Sequence, residues 1–298
     1  MPWFATSRQS SSASFPPLST VSEMQIIHTV RELRTALVSS SQTAFIPTMG
    51  NLHDGHIALV RQAKNAGGPV VASIFVNPLQ FGQGEDFERY PRTLAADAEK
   101  LAEAGCDLVF APDVTEMYPE PQTFQVQPPL ADVLCGAFRP GHFAGVCTVV
   151  LKLFEMVRPR SALFGKKDYQ QWHLIQTMAR QFNLPIEILG GETIRAEDGL
   201  ALSSRNGYLS ELERKEAPRL YGELKRICAA LAAGDDDFAN LEATAISNLS
   251  QAGWRVDYIS IRAQATLMPA TPKERDLVVL GAAWLGNTRL IDNREVSI

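Results

Sequence analysis

Short apolar runs alternate with amphipathic segments along the first two thirds of the chain. "TAFIPT" and "PVVASIFVNP" carry almost no polar side chains, which is typical of strands buried on both faces of a parallel sheet. Between them, "HIALVRQAKNAG" repeats apolar residues at helical spacing and ends at a glycine. The alternation continues through "LAADAEKLAEAG", "CDLVFAP", "FAGVCTVVLKLFEMV", "SALFG", "DYQQWHLIQTMARQF" and "PIEILGGETI". This order predicts an α/β fold with a doubly wound parallel sheet and right-handed crossovers.

The pattern changes after Ile194. "SELERKEAPRLYGELKRICAALAAG" begins with Ser210 and Glu213 in capping-box register and predicts one long helix, and "DFANLEATAISNLSQAG" predicts another. "RVDYISIRA" and "RDLVVLGAAWLGNTRLIDN" are typical of antiparallel strands. We therefore predict a Rossmann-like domain over residues 24–196 and a second, smaller α+β C-terminal domain over residues 197–298.

Residues 1–23 are rich in Ser and Pro and poor in charge. This composition predicts a disordered N-terminal extension, or an upstream start with Met24 as the real first residue. A transit peptide is the alternative, but such leaders are rich in Arg, and this stretch contains only Arg8.

Composition and charge narrow the class of protein. The net charge of −5 argues against a nucleic-acid binder held by a broad basic face. No apolar run approaches the roughly 18 residues that a membrane span needs. The four cysteines show no CxxC spacing, so they are interpreted as thiols in a reducing compartment. We expect a cytoplasmic protein with neither nucleic acid nor membrane as a partner.

Candidate chemistry is concentrated in "PTMGNLHDGH", which holds two of only five histidines, His53 and His56. In open α/β sheets ligands bind where strands end and helices begin, and free N–H groups at a helix start attract phosphate. Gly50 and Gly55 would let a nucleotide approach the backbone, and imidazoles donate hydrogen bonds to phosphate oxygens. Two alternatives are histidines that only cap the helix, and a zinc site of HxxH spacing, for which no nearby Cys, His or Glu completes the ligand set.

The tetrapeptide HDGH resembles the HIGH signature of nucleotidyltransferases, and the stretches around it make the resemblance more specific. "PTMGNLHDGH", "SIFVNPLQF", "DFERYPRT", "RPGHFAGV", "LFGKKDYQQ" and "DGLALSSRNGYL" occur in this order, followed by "AAWLGNTRLIDN". From about Met24 to its end, the chain resembles the pantoate–β-alanine ligase (pantothenate synthetase) family. The resemblance implies an ATP-dependent ligase that makes pantothenate from pantoate and β-alanine through a pantoyl adenylate, with Mg²⁺ on the phosphates and a homodimeric assembly.

The resemblance also implies roles for individual residues. His56 matches the family's proton donor and His53 a phosphate contact, while Lys167 would bind the phosphates. A lysine at a helix start opposes the helix dipole, so a phosphate partner explains it better than solvent does. Lys166 departs from the residue usually found there in the family. The implied ATP-binding residues are Met49, Gly50, Asn51, Leu52, His53, Asp54, Gly55, His56, Gly165, Lys166, Lys167, Asp168, Ile194, Leu202, Ser203, Ser204 and Arg205.

Pantoate is assigned by the same resemblance to Gln80 and Gln171, whose neutral amides donate to carboxylate and hydroxyl oxygens. Asn77 and Met49 lie near enough in the pattern to join them. Asp97 is the side chain expected to help bind Mg²⁺, with a solvated helix acid as the alternative. Arg139 and His142 in "RPGHF" are either a second substrate anchor or a cap for the following helix.

Other functions remain open at this point. Phosphopantetheine and nicotinate-mononucleotide adenylyltransferases share HxGH but lack "FVNPLQF" and "KDYQQ". An aminoacyl-tRNA synthetase would need a tRNA-binding region that this short, acidic chain does not offer. A non-catalytic nucleotide-binding regulator would be expected to lose phosphate-contacting side chains, yet His53, His56, Lys167 and "SSR" are all present.

Overall fold

A computed structural model describes residues 24–82, 85 and 87–298, so the prediction for residues 1–23 lies outside the described residues. The larger sheet has six parallel strands in the order β1-β4-β3-β2-β5-β6. This architecture confirms the predicted doubly wound, Rossmann-like α/β fold. The strands are β1 Gln25–Ile27, β2 Ala44–Thr48, β3 Val70–Ile74, β4 Leu108–Phe110, β5 Ser161–Gly165 and β6 Glu187–Gly191.

Helices cover both faces of this sheet. One core cluster packs α2 and α3 against one face, and another packs α1, α6 and α7 against the opposite face. Each helix turns an apolar stripe inward, as "HIALVRQAKNAG" predicted through Ile57, Val60 and Ala63. The helices are α1 Val30–Ala36, α2 Asp54–Asn65, α3 Leu94–Glu103, α4 Val114–Met117, α5 Cys135–Phe138, α6 His142–Val157 and α7 Tyr169–Gln181.

The strand order reverses beside β2, and this reversal determines where a ligand fits. The chain runs from β2 to β3 and β4 on one side, then returns to place β5 and β6 on the other. The carboxyl ends of β2 and β5 therefore flank a crevice, the usual ligand site of open α/β sheets. The "PTMGNLHDGH" stretch leaves β2 and "GKKD" leaves β5, so both motifs meet at this crevice.

The last third of the chain forms the predicted smaller α+β unit. Strands β7 Arg255–Ala263, β8 Asp276–Leu285 and β9 Thr288–Ser297 make an antiparallel sheet, and its core includes α9 Arg219–Ala232 and α10 Phe238–Gln251. The predicted single long helix is instead two, because α8 Glu211–Glu216 ends before Pro218, which lacks an N–H and disfavours helix at the preceding residue. The division at residues 196 and 197 stays a prediction.

Two predictions from composition can be compared with the described residues. All four cysteines are buried and free, as expected for thiols without a disulfide frame. Within residues 24–82, 85 and 87–298, none of the helices has the length and apolar character needed to cross a membrane.

Candidate active site

The two histidines of the HDGH stretch accept hydrogen bonds from backbone N–H groups at the start of helix α2. His53 is the N-cap residue, and its Nδ1 accepts a hydrogen bond from the Gly55 N–H at 3.1 Å. The Nδ1 of His56 accepts from the His53 N–H at 3.3 Å, and the two ring centroids lie 4.2 Å apart. Because Nδ1 is the acceptor in both rings, each neutral imidazole carries its proton on Nε2. Both histidines therefore take part in capping the helix, and this capping leaves an Nε2–H donor on both rings.

Burial keeps these rings uncharged. Burial and the neighbouring His53 lower the pKa of His56 to about 3. Burial and the charge of Lys167 lower the pKa of His53 to about 4. Gly55 is required between them, because a Cβ there would lie 2.8 Å from the His53 ring. Near neutral pH the pair consists of two neutral donors that face an open cavity.

Asp97 is used to shape the loop that precedes α2. Its carboxylate oxygens accept from the N–H groups of Asn51 and Leu52, both at 2.8 Å, and from the Thr93 hydroxyl at 2.9 Å. Gly50 has a left-handed φ of 81°, and a Cβ on it would lie 3.0 Å from Asp97 Oδ2. Asp97 is 1% exposed and does not line the cavity. These contacts argue against the predicted role of Asp97 in binding Mg²⁺.

The turn after β5 brings only part of the predicted "GKKD" set to the cavity. Gly165, Lys167 and Asp168 line it, whereas the Lys166 ammonium pairs with Glu192 at 2.7 Å and Glu295 at 2.9 Å. The Lys166 side chain is thus engaged in two ion pairs and does not line the cavity, and the predicted contact of Lys166 with ATP stays a prediction. Burial raises the pKa of Asp168, but the charges of Lys167 and Arg205 outweigh burial and leave the pKa below its ordinary value.

The "LSSR" stretch closes the cavity from the side of the smaller unit. Leu202, Ser203, Ser204 and Arg205 all line the cavity. The Ser203 hydroxyl accepts from the Arg205 N–H at 3.3 Å, which starts a short 3₁₀ turn. The Ser204 hydroxyl donates to the Asn51 carbonyl at 3.1 Å. This bond ties the turn to the loop after β2, so two predicted phosphate elements share one wall.

The predicted pantoate amides are near the loop after β2. Gln80 and Gln171 line the cavity, and Gln80 Nε2 lies 3.0 Å from Met49 Sδ. Asn77 also borders the cavity, but its amide is satisfied internally. Its Nδ2 donates to Gln80 Oε1 at 3.1 Å, and its Oδ1 accepts from the Tyr118 hydroxyl at 2.8 Å. Asn77 therefore orients Gln80.

Arg139 and His142 join the same wall. The Arg139 guanidinium makes two 2.7 Å hydrogen bonds to Glu85 and lies 2.9 Å from His142 Nε2. His142 Nδ1 lies 2.8 Å from the Gln80 carbonyl oxygen. His142 is the first residue of α6 and Arg139 precedes it, so the pair links a helix start to Gln80.

Of the predicted stretch from Met49 to His56, four residues line the cavity and four do not. Met49, His53, Gly55 and His56 face the cavity, and Ile194 borders it from the β6 side. Leu52 is buried in the core. The residues that do not line the cavity are Gly50, Asn51 and Leu52 in the loop and Asp54, the first residue of α2.

An apolar wall completes the site, and the sequence interpretation did not assign it. Val146, Val149, Val150 and Leu153 of α6 line the inner part of the cavity. Their i, i+3, i+4, i+7 spacing marked one helix face, but that spacing also fits an interface or a core. Glu192 and Thr193 were missed too, since nothing in their spacing distinguishes them from a loop.

The cavity has a volume of about 220 Å³ and opens into a cleft of about 840 Å³. The two spaces share lining residues, and the cleft reaches β8 and β9 of the smaller unit. A pocket with an apolar wall and convergent donors, beside a wider cleft, is suited to a small acid next to a nucleotide. The shared residues are Arg139, Lys167, Asp168, Ser203 and Arg205.

Known proteins resemble the chain over almost its whole length. The family model described as pantoate-beta-alanine ligase matches residues 25–295. A pantothenate synthetase of Thiobacillus denitrificans is 64% identical over 276 residues, which cover 92% of this chain and 98% of that relative. A pantothenate synthetase of Neisseria meningitidis serogroup B is 57% identical over 277 residues, covering 92% and 100% of the two chains.

Solved structures agree with these relatives. The crystal structure of pantothenate synthetase from Thermus thermophilus superposes with a TM-score of 0.88 at 46% identity, covering 92% of this chain and all of the other. The pantoate-beta-alanine ligase from Francisella tularensis, complexed with beta-gamma ATP and β-alanine, has a TM-score of 0.77 at 34% identity. The match covers 91% of this chain and 97% of the Francisella tularensis chain. The chain therefore belongs to the pantoate–β-alanine ligase family.

Proposed function

We propose that the cavity joins pantoate to β-alanine in two steps, with ATP as the activating substrate. In the first step a pantoate carboxylate oxygen attacks the α-phosphorus of ATP, and the bond to pyrophosphate breaks. In the second step the uncharged amine of β-alanine attacks the activated acyl carbon, the bond to AMP breaks, and the nitrogen loses a proton. The convergence of His53, His56 and Lys167 with Gln80 and Gln171 on one cavity supports this function.

The first step gathers negative charge on the phosphates, so catalysis depends on positioned donors. His53 and His56 offer Nε2–H donors, and the Lys167 ammonium adds a positive charge nearby. The hydroxyls and guanidinium of "SSR" are suited to the departing pyrophosphate. Phosphate charge beside the imidazoles favours their protonated forms, which supports His56 as the proton donor.

The two substrates are proposed to occupy different walls. Gln80 and Gln171 donate to the pantoate oxygens, and the valine face of α6 packs against the apolar part of the acid. ATP lies against the starts of α2 and α7, with Ile194 next to the adenine. The wider cleft leaves room for β-alanine to reach the acyl carbon from the side of the smaller unit.

We propose that Mg²⁺ arrives with ATP and is held mainly through phosphate oxygens. Across the described ranges, with their gaps at 83–84 and 86, no group of three or more His, Cys, Asp or Glu side chains could hold a metal ion. When bound, Mg²⁺ neutralises phosphate charge. Asp168 lies in the cavity as the carboxylate that would face such a complex.

The homodimer remains a proposal that rests on the family resemblance, and the cytoplasmic location remains one that rests on composition and cysteine spacing. Light scattering on the purified full chain should give twice the chain mass at micromolar concentration. A mass equal to one chain would contradict the dimer without affecting the reaction.

Pyrophosphate–ATP isotope exchange tests the proposed reaction. With Mg²⁺, exchange should require pantoate and should proceed without β-alanine, because the adenylate forms before the amine is needed. Adding β-alanine should then give pantothenate and AMP. The matched control is Arg61→Gln, an exposed position on α2 outside the cavity, which should exchange as fast as the wild type. Absence of exchange under all these conditions, with ATP still bound, would contradict the two-step reaction.

A further inference from the structure

The last strand of the smaller unit reaches the turn that carries Lys167. Asn293 lies on β9 and is 6% exposed. Its Nδ2 donates to the Lys166 carbonyl at 2.8 Å and to the Lys167 carbonyl at 2.9 Å. The side-chain amide of Asn293 thus donates to two consecutive backbone carbonyls. Those carbonyls belong to the 3₁₀ turn Lys166–Asp168, which leads from β5 into α7.

Strand geometry fixes the position of this amide. Side chains two residues apart in a strand point to the same face, and Glu295 accepts from the Tyr169 hydroxyl at 2.8 Å beside Asn293. On the other face, Asp292 forms two hydrogen bonds with the Arg195 guanidinium at 2.7 and 2.8 Å. β9 is therefore held from both faces, and Asn293 acts from a rigid base.

The turn has little else to define it locally. Its N-cap is Gly165, which has no side chain to accept from the first N–H groups. The Lys166 side chain pairs with Glu192 and Glu295 and does not itself line the cavity. The backbone orientation that sends the next side chain, Lys167, into the cavity thus depends on a contact from a strand 126 residues away.

We propose that Asn293 is a positioning residue for adenylate formation. Its two hydrogen bonds set the orientation of the turn, so that Lys167 and Asp168 face the phosphates of ATP. This inference rests on the proposed function of Lys167. It explains how β9 of the smaller unit takes part in the first chemical step without contacting the reacting atoms. Misplacement of a catalytic group by about 1 Å can cost about 100-fold in rate.

Three substitutions separate hydrogen-bond donation from packing. Asn293→Ala removes both donors, and Asn293→Ser keeps one hydroxyl donor. Asn293→Asp keeps the volume but places a carboxylate against two carbonyls. We expect kcat for pantoate-dependent exchange to fall about 10- to 100-fold in Asn293→Ala. The kcat of Asn293→Asp should fall at least as far, and the kcat of Asn293→Ser should lie between those of the wild type and Asn293→Ala. The KM for pantoate should stay within about twofold of the wild-type value.

The matched control is Arg294→Ala, on the same strand. Arg294 donates to the Tyr221 hydroxyl at 2.6 Å and makes no contact with the turn. The Arg294→Ala variant should retain the wild-type kcat. Melting curves identify which variants fold, and if Asn293→Asp does not fold, a kcat within twofold of the wild type in both Asn293→Ser and Asn293→Ala still overturns the inference.

A packing role would give the opposite order, with Asn293→Asp near wild type and Asn293→Ala lowest. That order, or kcat within twofold for both Ser and Ala, would overturn the inference. An equal loss in Arg294→Ala would overturn it as well. If the wild type exchanges and Asn293→Ala exchanges at the same rate, this inference is wrong and the proposed function stands. If the wild type does not exchange, the proposed function itself is contradicted.

Discussion

At the residue scale, the site depends on side chains that serve both the backbone and the substrate. His53 and His56 use Nδ1 to cap α2, and this use commits Nε2 to donation. The capping hydrogen bonds themselves therefore fix the tautomer of both imidazoles. Asn77 works in the same way, since its amide satisfies local partners while it orients Gln80.

Replacement of His56 by Gln should reduce pantoate-dependent exchange about 100- to 1,000-fold, because one donor to the developing phosphate charge is lost. The comparison is Asp54→Asn, a neighbouring change on α2 outside the cavity, which should stay within a few-fold of wild type. Steady-state exchange at saturating ATP measures both. Equal rates in His56→Gln and wild type would contradict the assigned role.

The stability of the protein should depend on pH through the same residue. The folded pKa of His56 is about 3, below its ordinary value of 6.5, so the unfolded chain binds a proton that the native state does not. Stability is therefore fully present above pH 6.5 and falls as the pH drops toward 3, by at most about 1.4 kcal/mol per pH unit. Urea unfolding between about pH 7 and pH 4 should show a shallower loss in His56→Gln. Identical slopes would contradict the buried, neutral state.

At the element scale, the loop between β2 and α2 is held by α3 from outside. Asp97 accepts from two loop N–H groups, and the Lys100 ammonium donates to the Leu52 carbonyl at 2.7 Å. These contacts hold a loop with positive φ at Gly50 and Asn51. The geometry at the start of α2 is thus supplied by another helix.

Asp97→Ala should lower the free energy of unfolding by about 2–4 kcal/mol, because two N–H groups lose their partners. The dependence of exchange on Mg²⁺ concentration should keep its midpoint, since the carboxylate supports the loop. Glu99→Ala, an exposed acid on the same helix, is the control and should change neither quantity. A large rise in the required Mg²⁺ without a loss of stability would restore Asp97 as a metal ligand.

At the scale of the whole molecule, the site is assembled from both units. The parallel sheet supplies the histidine loop and the lysine turn, and the smaller unit supplies "LSSR" and the β9 contacts. The bidentate pair of Arg195 and Asp292 connects the segment after β6 to β9. The cleft between these elements adjoins the inner cavity. The site therefore draws on elements of both units.

Removal of divalent metal should separate chemistry from folding. Excess EDTA should abolish exchange, because ATP then lacks the Mg²⁺ that neutralises its phosphates. The melting temperature of the ATP-free protein should not change, since the proposed metal is held through ATP. Exchange should return on addition of Mg²⁺. A clear drop in melting temperature with EDTA would indicate a metal bound by the protein itself.

The amino-acid sequence by itself determined the alternation of strands and helices, because apolar periodicity is a local property of the chain. It also located the histidine, lysine and serine motifs at the ends of elements, where parallel strands bring ligand sites together. The family resemblance then supplied about half of the residues that line the cavity.

Only the tertiary structure decided which partners distant side chains take. Asp97 meets Asn51 across 46 residues, and Lys166 meets Glu295 across 129. Local spacing carries no information about such pairs, so the sequence alone does not predict these contacts. The spacing of the apolar face of α6 fitted a core or an interface, and only packing shows that part of this face lines the cavity. The contact from Asn293 to the lysine turn exists because β9 of the smaller unit packs beside the carboxyl end of β5.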